Sequence, residues 1–224
     1  MNILGLSSAT NTIGAALYGS ESIIAECSLS GTSARSEKLL GLVEGALKKA
    51  KIKISDIDAV AVTSGPGSYS GLRGGLATAK AMVATLDIPI ISVSTLMAIA
   101  YNFINCEAML AVAVNACRDD YNLALFGSHN GNIHRITGDM AVKMGRIKEV
   151  LSSVKGRMIV VSDGELKDLI KNSDLTIAGP GCEVPWAKNV AIIGHDKLKK
   201  KETDDYLGLI PSYSHKPNIR EYKD

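Results

Sequence analysis

One segment of this sequence combines residue types and spacing that suit an anion: Ser64-Gly65-Pro66-Gly67-Ser68-Tyr69-Ser70-Gly71-Leu72-Arg73. It follows a short apolar strand and opens a helix, and the first amides of a helix present free donors and the positive end of its dipole. Gly65 and Gly67 allow positive φ, while Pro66 fixes its own φ and removes one donor. Gly65, Gly67, Ser68 and Arg73 are therefore the candidate anion or nucleotide site. The turn lacks the Gly-Lys-Ser/Thr ending of a P-loop, and the strand after its helix, Pro89 to Val93, carries no acid for a ribose. Arg73 falls in the first turns of the helix, where the dipole disfavours a cation. A negative group is expected beside it, Glu37, a bound phosphate or a carboxylate from a partner; the alternative is a solvated arginine at a modest cost.

The helix after the turn has a second peculiarity. Gly74 and Gly75 each cost about 1 kcal/mol relative to alanine inside a helix, so close packing must offset them. Gly71, Gly74 or Gly75, Thr78, Ala81 and Thr85 form a stripe of small side chains at three- and four-residue spacing, which lets another backbone approach. That backbone belongs either to this chain's own first helix or to a partner.

Other chemistry is missing. His129 and His134 flank an Asn-Gly turn with no acidic cluster beside them, which makes them surface histidines rather than ligands. Ser64, Ser68 and Ser70 have no histidine that spacing places as a base, so turn and capping roles suffice for them. The first hairpin, Ser7-Ser8-Ala9-Thr10-Asn11-Thr12, has hydroxyls but no carboxylate to hold a metal with a nucleotide. Cys27, Cys106, Cys117 and Cys182 are widely spaced and read as reduced thiols. No metal site is expected.

The elements that would position these residues are short. Three strands, Asn2 to Leu6, Thr12 to Tyr18 and Ser22 to Ser28, form an antiparallel meander. A helix follows with Leu39, Leu40, Val43, Ala46, Leu47 and Ala50 on one stripe. Strand Ala59 to Val62, the glycine-rich turn, helix Leu72 to Leu86 and strand Pro89 to Val93 complete a βββαβαβ order. A helix from Ser94 to Asn105, with Ser94 as N-cap, leads to a second round. This has strands Met109 to Val114, Tyr121 to Phe126 and Ile133 to Ile136, helix Arg146 to Val154, strand Met158 to Val161, helix Glu165 to Lys171 and strand Leu175 to Ile177. The order predicts two related α/β subdomains, although no residue-level repeat accompanies it. The segment from Pro180 reads as the least regular part, with Lys197 to Asp205 as a solvated charge run.

At 224 residues, 46% hydrophobic and 21% charged, the chain can bury a real core. A net charge of +2 and 4% aromatic residues exclude a strong overall field and a base-stacking surface. The beginning of the sequence lacks the basic and apolar pattern of a signal peptide, and no apolar run approaches the ~20 residues of a membrane span. A cytoplasmic protein is expected.

The segment Ser64 to Arg73, continued by Gly75-Leu76-Ala77-Thr78-Ala79-Lys80, resembles the TsaB family, also called YeaZ. The resemblance includes Ile3-Leu4-Gly5-Leu6 with its hydroxyl-rich hairpin, Ser36-Glu37 opening the first helix, Ala116-Cys117-Arg118 before Tyr121, and Pro211-Ser212-Tyr213. It implies an α/β actin-like fold of two ribonuclease H-like subdomains, residues 1–100 and residues 101–224 with a C-terminal tail. It also implies a non-catalytic scaffold or activating subunit of the bacterial machinery that forms threonylcarbamoyladenosine beside the tRNA anticodon. The expected partners are a TsaD-type transferase, a TsaE-type ATPase in the assembly, tRNA through the complex, or a second copy of the chain through the first two helices. Glu37, Leu40, Glu44, Gly71, Gly74, Gly75 and Thr78 are the interface residues this suggests. Gly74→Leu or Gly75→Leu is then expected to block assembly while the monomer folds.

The chain departs from the family pattern at Ser7, where an aspartate is usual, at Arg35, where a histidine is usual, and at Asn115 and Asp120. No cofactor is expected. The competing readings are an ATP-dependent phosphotransferase or glycoprotease-like hydrolase of the actin-like fold, and a tRNA-binding adaptor using Lys197 and Lys199 to Lys201.

Overall fold

Leu4 and Leu6 alternate with Ile3 and Gly5 along the first strand, and all four are buried, so this strand is covered on both faces. The computed structural model describes residues 1–31, 36–117, 119–152, 157–162, 166 and 175–213. Strands β1 (Ile3–Ser7), β2 (Thr12–Gly19) and β3 (Ser22–Ser30) form the expected antiparallel meander. β4 (Ala59–Gly65) joins the other side of β1 in parallel, and β5 (Ile90–Ser94) lies parallel to β4. The strand order is β3-β2-β1-β4-β5.

Two crossover helices cover one face of this sheet. Helix α1 (Leu39–Ala50) buries Leu39, Val43 and Ala46 and places Lys48 and Lys49 in its last turn, where they complement the dipole. Lys51 ends it in the left-handed region at φ 56°, donating its amide back into the last turn. Helix α2 (Tyr69–Leu86) buries Leu72, Leu76, Ala79, Met82 and Val83. Leu76, Ala79, Met82 and Val83 meet Leu4, Leu6, Leu17, Val60 and Val62, together with Leu39, Val43 and Ala46 of α1, in one core.

Ser94 accepts the Met97 amide and caps α3 (Thr95–Ala100), a shorter helix than the Ser94 to Asn105 expected. The chain then enters a second sheet. β6 (Ala108–Cys117), β7 (Asp120–His129) and β8 (Asn132–Arg135) are antiparallel neighbours, β10 (Met158–Ser162) adds to β6 in parallel, and β11 (Thr176–Ile177) adds to β10. The order β8-β7-β6-β10-β11 repeats that of the first sheet, so the duplication lies in topology rather than in residue identity. An additional strand, β9 (Met140–Lys143), pairs with β7 ahead of α4 (Met144–Ser152). The helix expected at Glu165 to Lys171 lies outside the described residues except for Leu166.

The segment after Pro180 corrects the expectation of irregularity. It contains a 13-residue helix, α5 (Ala187–Lys199), which crosses the second face of the first sheet. Val190 and Ile193 join Ile3, Ala59, Ala61 and Ile91 in a separate core there. Helix and sheet touch at backbone range: a Cβ at Gly5 would lie 2.7 Å from the Ala191 Cβ, and one at Gly194 would collide with the Ala61 methyl. Buried Asn189 ties α5 to α3 by donating to the Ala98 carbonyl at 2.9 Å and to Asn102 at 2.7 Å. Residues 187–199 therefore pack on the first sheet although they follow the second in sequence.

The charge run Lys197 to Asp205 is not uniformly solvated either. Lys197 donates to the Ser92 carbonyl at 3.0 Å, and Asp204 accepts the Ser92 amide at 2.6 Å. Asp204 also bridges to Ile90, so this segment covers the β5 edge.

Candidate functional site

The turn between β4 and α2 is built as the sequence predicts, with Ser68 as N-cap accepting the Gly71 amide at 3.3 Å. Its contents differ from a ligand loop. The Ser68 amide donates to the Ala9 carbonyl at 2.8 Å, and the Leu72 amide donates to the Ser68 carbonyl at 2.8 Å. A Cβ at Gly67 would collide with the Ala9 carbonyl, and one at Gly65 with the Ser212 carbonyl. Gly65 has φ +125°, a conformation open to glycine. Its strand-end neighbour Ser64 accepts the Ser212 amide at 2.7 Å. The chain's own first hairpin and C-terminal segment thus fill the turn.

Arg73 has partners, and they are not Glu37. Its Nε donates to the Tyr213 hydroxyl at 3.2 Å, and its guanidinium lies 4.1 Å from the centre of the Tyr69 ring. Tyr69 and Tyr213 stack with ring centres 5.3 Å apart. The hydrogen bond to Tyr213 moves the Arg73 pKa up from its already high value. Glu37 is exposed in the short 3-10 turn ahead of α1. No periodicity in the sequence marks Pro211-Ser212-Tyr213 for this place, because the segment is held by isolated backbone bonds and one aromatic pair.

The small-residue stripe of α2 divides into two faces. Gly71 and Gly75 point inward: a Cβ at Gly71 would collide with the Ser8 carbonyl, and one at Gly75 with the Ser8 hydroxyl oxygen. These two glycines serve packing against the first hairpin, so the expectation that Gly75→Leu spares the monomer is corrected. Thr78 donates to the Gly74 carbonyl at 2.9 Å, and both residues are half-buried. Ala77, Ala81 and Ala84 are exposed, as are Leu40, Gly41 and Glu44 on α1. Leu40 keeps 51% of its surface in solvent, and Leu207 and Ile210 of the C-terminal segment keep 74% each. Lys80 donates to the Leu207 carbonyl at 3.3 Å, which fixes that segment beside α2.

The cleft beside the first hairpin is shut. Ser7, Thr12 and Gly14 face Pro185 and Trp186, and the gap between them admits no water molecule. The hydroxyls of Ser7 and Ser8 are buried without a hydrogen-bond partner. Among the described residues no three His, Cys, Asp or Glu side chains converge as metal ligands, and no helix is long and apolar enough to cross a membrane.

Two sheets of repeated topology, each headed by an antiparallel meander, define a protein of the actin-like class. A solved protein from Pseudomonas aeruginosa described as similar to peptidase YEAZ superposes with a TM-score of 0.81 at 18% identity, covering 96% of this chain and 99% of that one. An activator of 2-hydroxyisocaproyl-CoA dehydratase from Clostridium difficile shares the fold at a TM-score of 0.55 and 13% identity, over 92% of this chain and 99% of that one. By sequence, the chain is 28% identical to tRNA threonylcarbamoyladenosine biosynthesis protein TsaB of Bacillus subtilis (strain 168), over 95% of this chain and 93% of that protein. It is 26% identical to TsaB of Escherichia coli (strain K12), over 91% and 90%. A tRNA N6-adenosine threonylcarbamoyltransferase of Chelativorans sp. (strain BNC1) is 44% identical, but over 44% of this chain and 25% of that protein. The chain belongs to the family described as TsaD, tRNA N6-adenosine threonylcarbamoyltransferase, which matches residues 25–196, and within it to the TsaB (YeaZ) group.

Proposed function

We propose that the chain is a non-catalytic subunit that docks onto a TsaD-type transferase and supports formation of threonylcarbamoyladenosine in tRNA. The observation that carries this reading is the end-to-end correspondence with two proteins named for that biosynthesis, over 95% and 91% of the chain. The transferase of Chelativorans sp. matches only 44% of it.

The local geometry supports docking over catalysis. The amides of Ser68 and Gly71 are already bonded within the chain, and Trp186 closes the cleft beside the first hairpin. The outer face of α1 and α2, with Leu40, Glu44, Gly74, Ala77 and Ala81, is the docking surface in this reading. An 18-residue helix is ~27 Å long, which with α1 beside it suits an interface of ordinary size. Small side chains on that face let a partner helix approach closely. The same face serves a homodimer, so a second copy and the transferase compete for it. A TsaE-type ATPase joins the assembly, and tRNA contact falls to the complex, in keeping with the near-neutral charge of this chain. The protein works in the cytoplasm, where tRNA is modified.

Co-purification with the transferase tests this. The wild-type chain is expected to co-elute, whereas the double substitution Ala77→Glu with Ala81→Glu abolishes co-elution while its circular dichroism is unchanged. A wild-type chain that fails to bind the transferase at micromolar concentrations overturns the proposal.

A further inference from the structure

A cavity of about 410 Å³ lies where the two lobes meet, away from the α1–α2 face. Its apolar lining comes from Val93, Met97, Ile133 and Ile193, with the Tyr101 side chain beside them. Val93 and Ile193 are buried, so the apolar wall belongs to the packed interior of the first lobe. The volume falls within the range of pockets that hold small organic molecules, and such pockets favour the boundary between domains.

The polar groups of the cavity come from two sides. Arg135 enters from β8, Lys197 from the last turn of α5 and Lys200 from its C-cap. Arg135 is held in place: it donates to Ser94 at 2.7 Å, pairs with Asp139 and sits 4.8 Å from the centre of the Phe126 ring. Lys197 is fixed by its bond to the Ser92 carbonyl at 3.0 Å, which leaves two of its three donors free. Lys200 is exposed, and exposed His134 also lines the cavity. One acid, Asp196, lines the cavity; burial and then the charge of this acid raise the Tyr101 pKa. Asp139 pairs with Arg135, Asp196 lines the cavity and Asp204 holds the Ser92 amide beside Lys197, so three acids match the three bases and the cavity offers hydrogen-bond donors, rather than net charge, over an apolar wall.

We propose that this cavity binds a small phosphate monoester carrying an apolar or aromatic body. The phosphate has three oxygens in different directions and receives donors from both walls, from Arg135 on one side and Lys197 and Lys200 on the other. A carboxylate has two oxygens in one plane and suits a single fork-shaped donor better. The organic body lies against Met97, Ile133 and Ile193.

Titration of the full chain with phenyl phosphate, benzoate and inorganic phosphate tests the assignment, read by ¹H–¹⁵N spectra. Phenyl phosphate is expected to bind saturably with a Kd on the order of 1 mM or tighter, shifting the amides of Ser94, Ile133 and Lys197. Benzoate and inorganic phosphate, each lacking one half of the ligand, bind about tenfold more weakly or less. Lys200→Glu, at an exposed position, leaves the spectrum of the free protein folded and weakens phenyl phosphate about tenfold or more. No saturable shift at 20 mM phenyl phosphate, equal binding of benzoate, or unchanged binding by Lys200→Glu overturns the assignment. Co-elution of Lys200→Glu with the transferase stays at the wild-type level, so the result is independent of the proposed docking role.

Discussion

Replacing Gly75 by alanine adds one methyl group at the point where α2 crosses the first hairpin. Built on the present backbone, that Cβ collides with the Ser8 hydroxyl oxygen and lies 3.1 Å from the Ser8 Cβ. Ser8 is 1% exposed and its backbone amide donates to the Thr63 hydroxyl at 3.2 Å, so the residue is held in place and its hydroxyl has no solvent to swing into. Overpacking of this kind costs about 1–3 kcal/mol, while exchanging glycine for alanine within a helix returns about 1 kcal/mol. The net expectation is a loss of up to about 2 kcal/mol, or up to ~8 °C in Tm for a chain of this size. Gly41→Ala is the matched control, because nothing lies within 4 Å of its Cβ on the exposed side of α1. That substitution is expected to raise Tm by ~1–4 °C. Differential scanning calorimetry of the two variants measures both shifts under one protocol. A Gly75→Ala protein as stable as Gly41→Ala refutes the inward assignment of Gly75 and returns it to the partner face.

Gly65→Ala places a side chain at φ +125° against the Ser212 carbonyl, and hydrogen exchange of the Ser212 amide is expected to accelerate at least tenfold as the C-terminal segment detaches. Exchange at the wild-type rate contradicts the tight seat. Asp204→Ala leaves the half-buried Ser92 amide without its acceptor and is expected to lower stability by about 1–3 kcal/mol in urea unfolding. Tyr101 has its pKa pushed up, first by burial and then by the Asp196 charge. Because the folded state holds this proton more tightly than the unfolded state, stability is expected to fall as pH rises from about 10 toward the folded pKa. Tyr101→Phe should flatten part of that decline in urea titrations at alkaline pH.

Elements held by periodic apolar burial were legible in the sequence. The stripe through Leu39, Val43 and Ala46 located α1, and the Ser94 hydroxyl located the start of α3. Helix α5 escaped notice because its buried face includes Ala187, Ala191 and Gly194, small residues whose value appears only once Gly5 and Ala61 lie opposite them. The β4–α2 turn was recognisable as a strand-to-helix turn, yet its occupant was not. Ser212 and Tyr213 reach it across more than a hundred residues by one backbone bond and one ring stack, which leave no local pattern. Spacing alone showed that Gly71 and Gly75 share a face of α2, but not which face the hairpin covers. The pairing of Arg73 with tyrosines rather than an acid was outside the expected set, since a ring face and a phenol oxygen serve a cation without carrying charge.

The proposal that this chain supports tRNA threonylcarbamoylation is tested most directly by deleting its gene and quantifying threonylcarbamoyladenosine in digested tRNA by mass spectrometry. The modified nucleoside is expected to disappear or fall at least tenfold. A plasmid copy is expected to restore it, and a copy carrying Ala77→Glu with Ala81→Glu is not. An unchanged nucleoside level in the deletion strain contradicts the proposal.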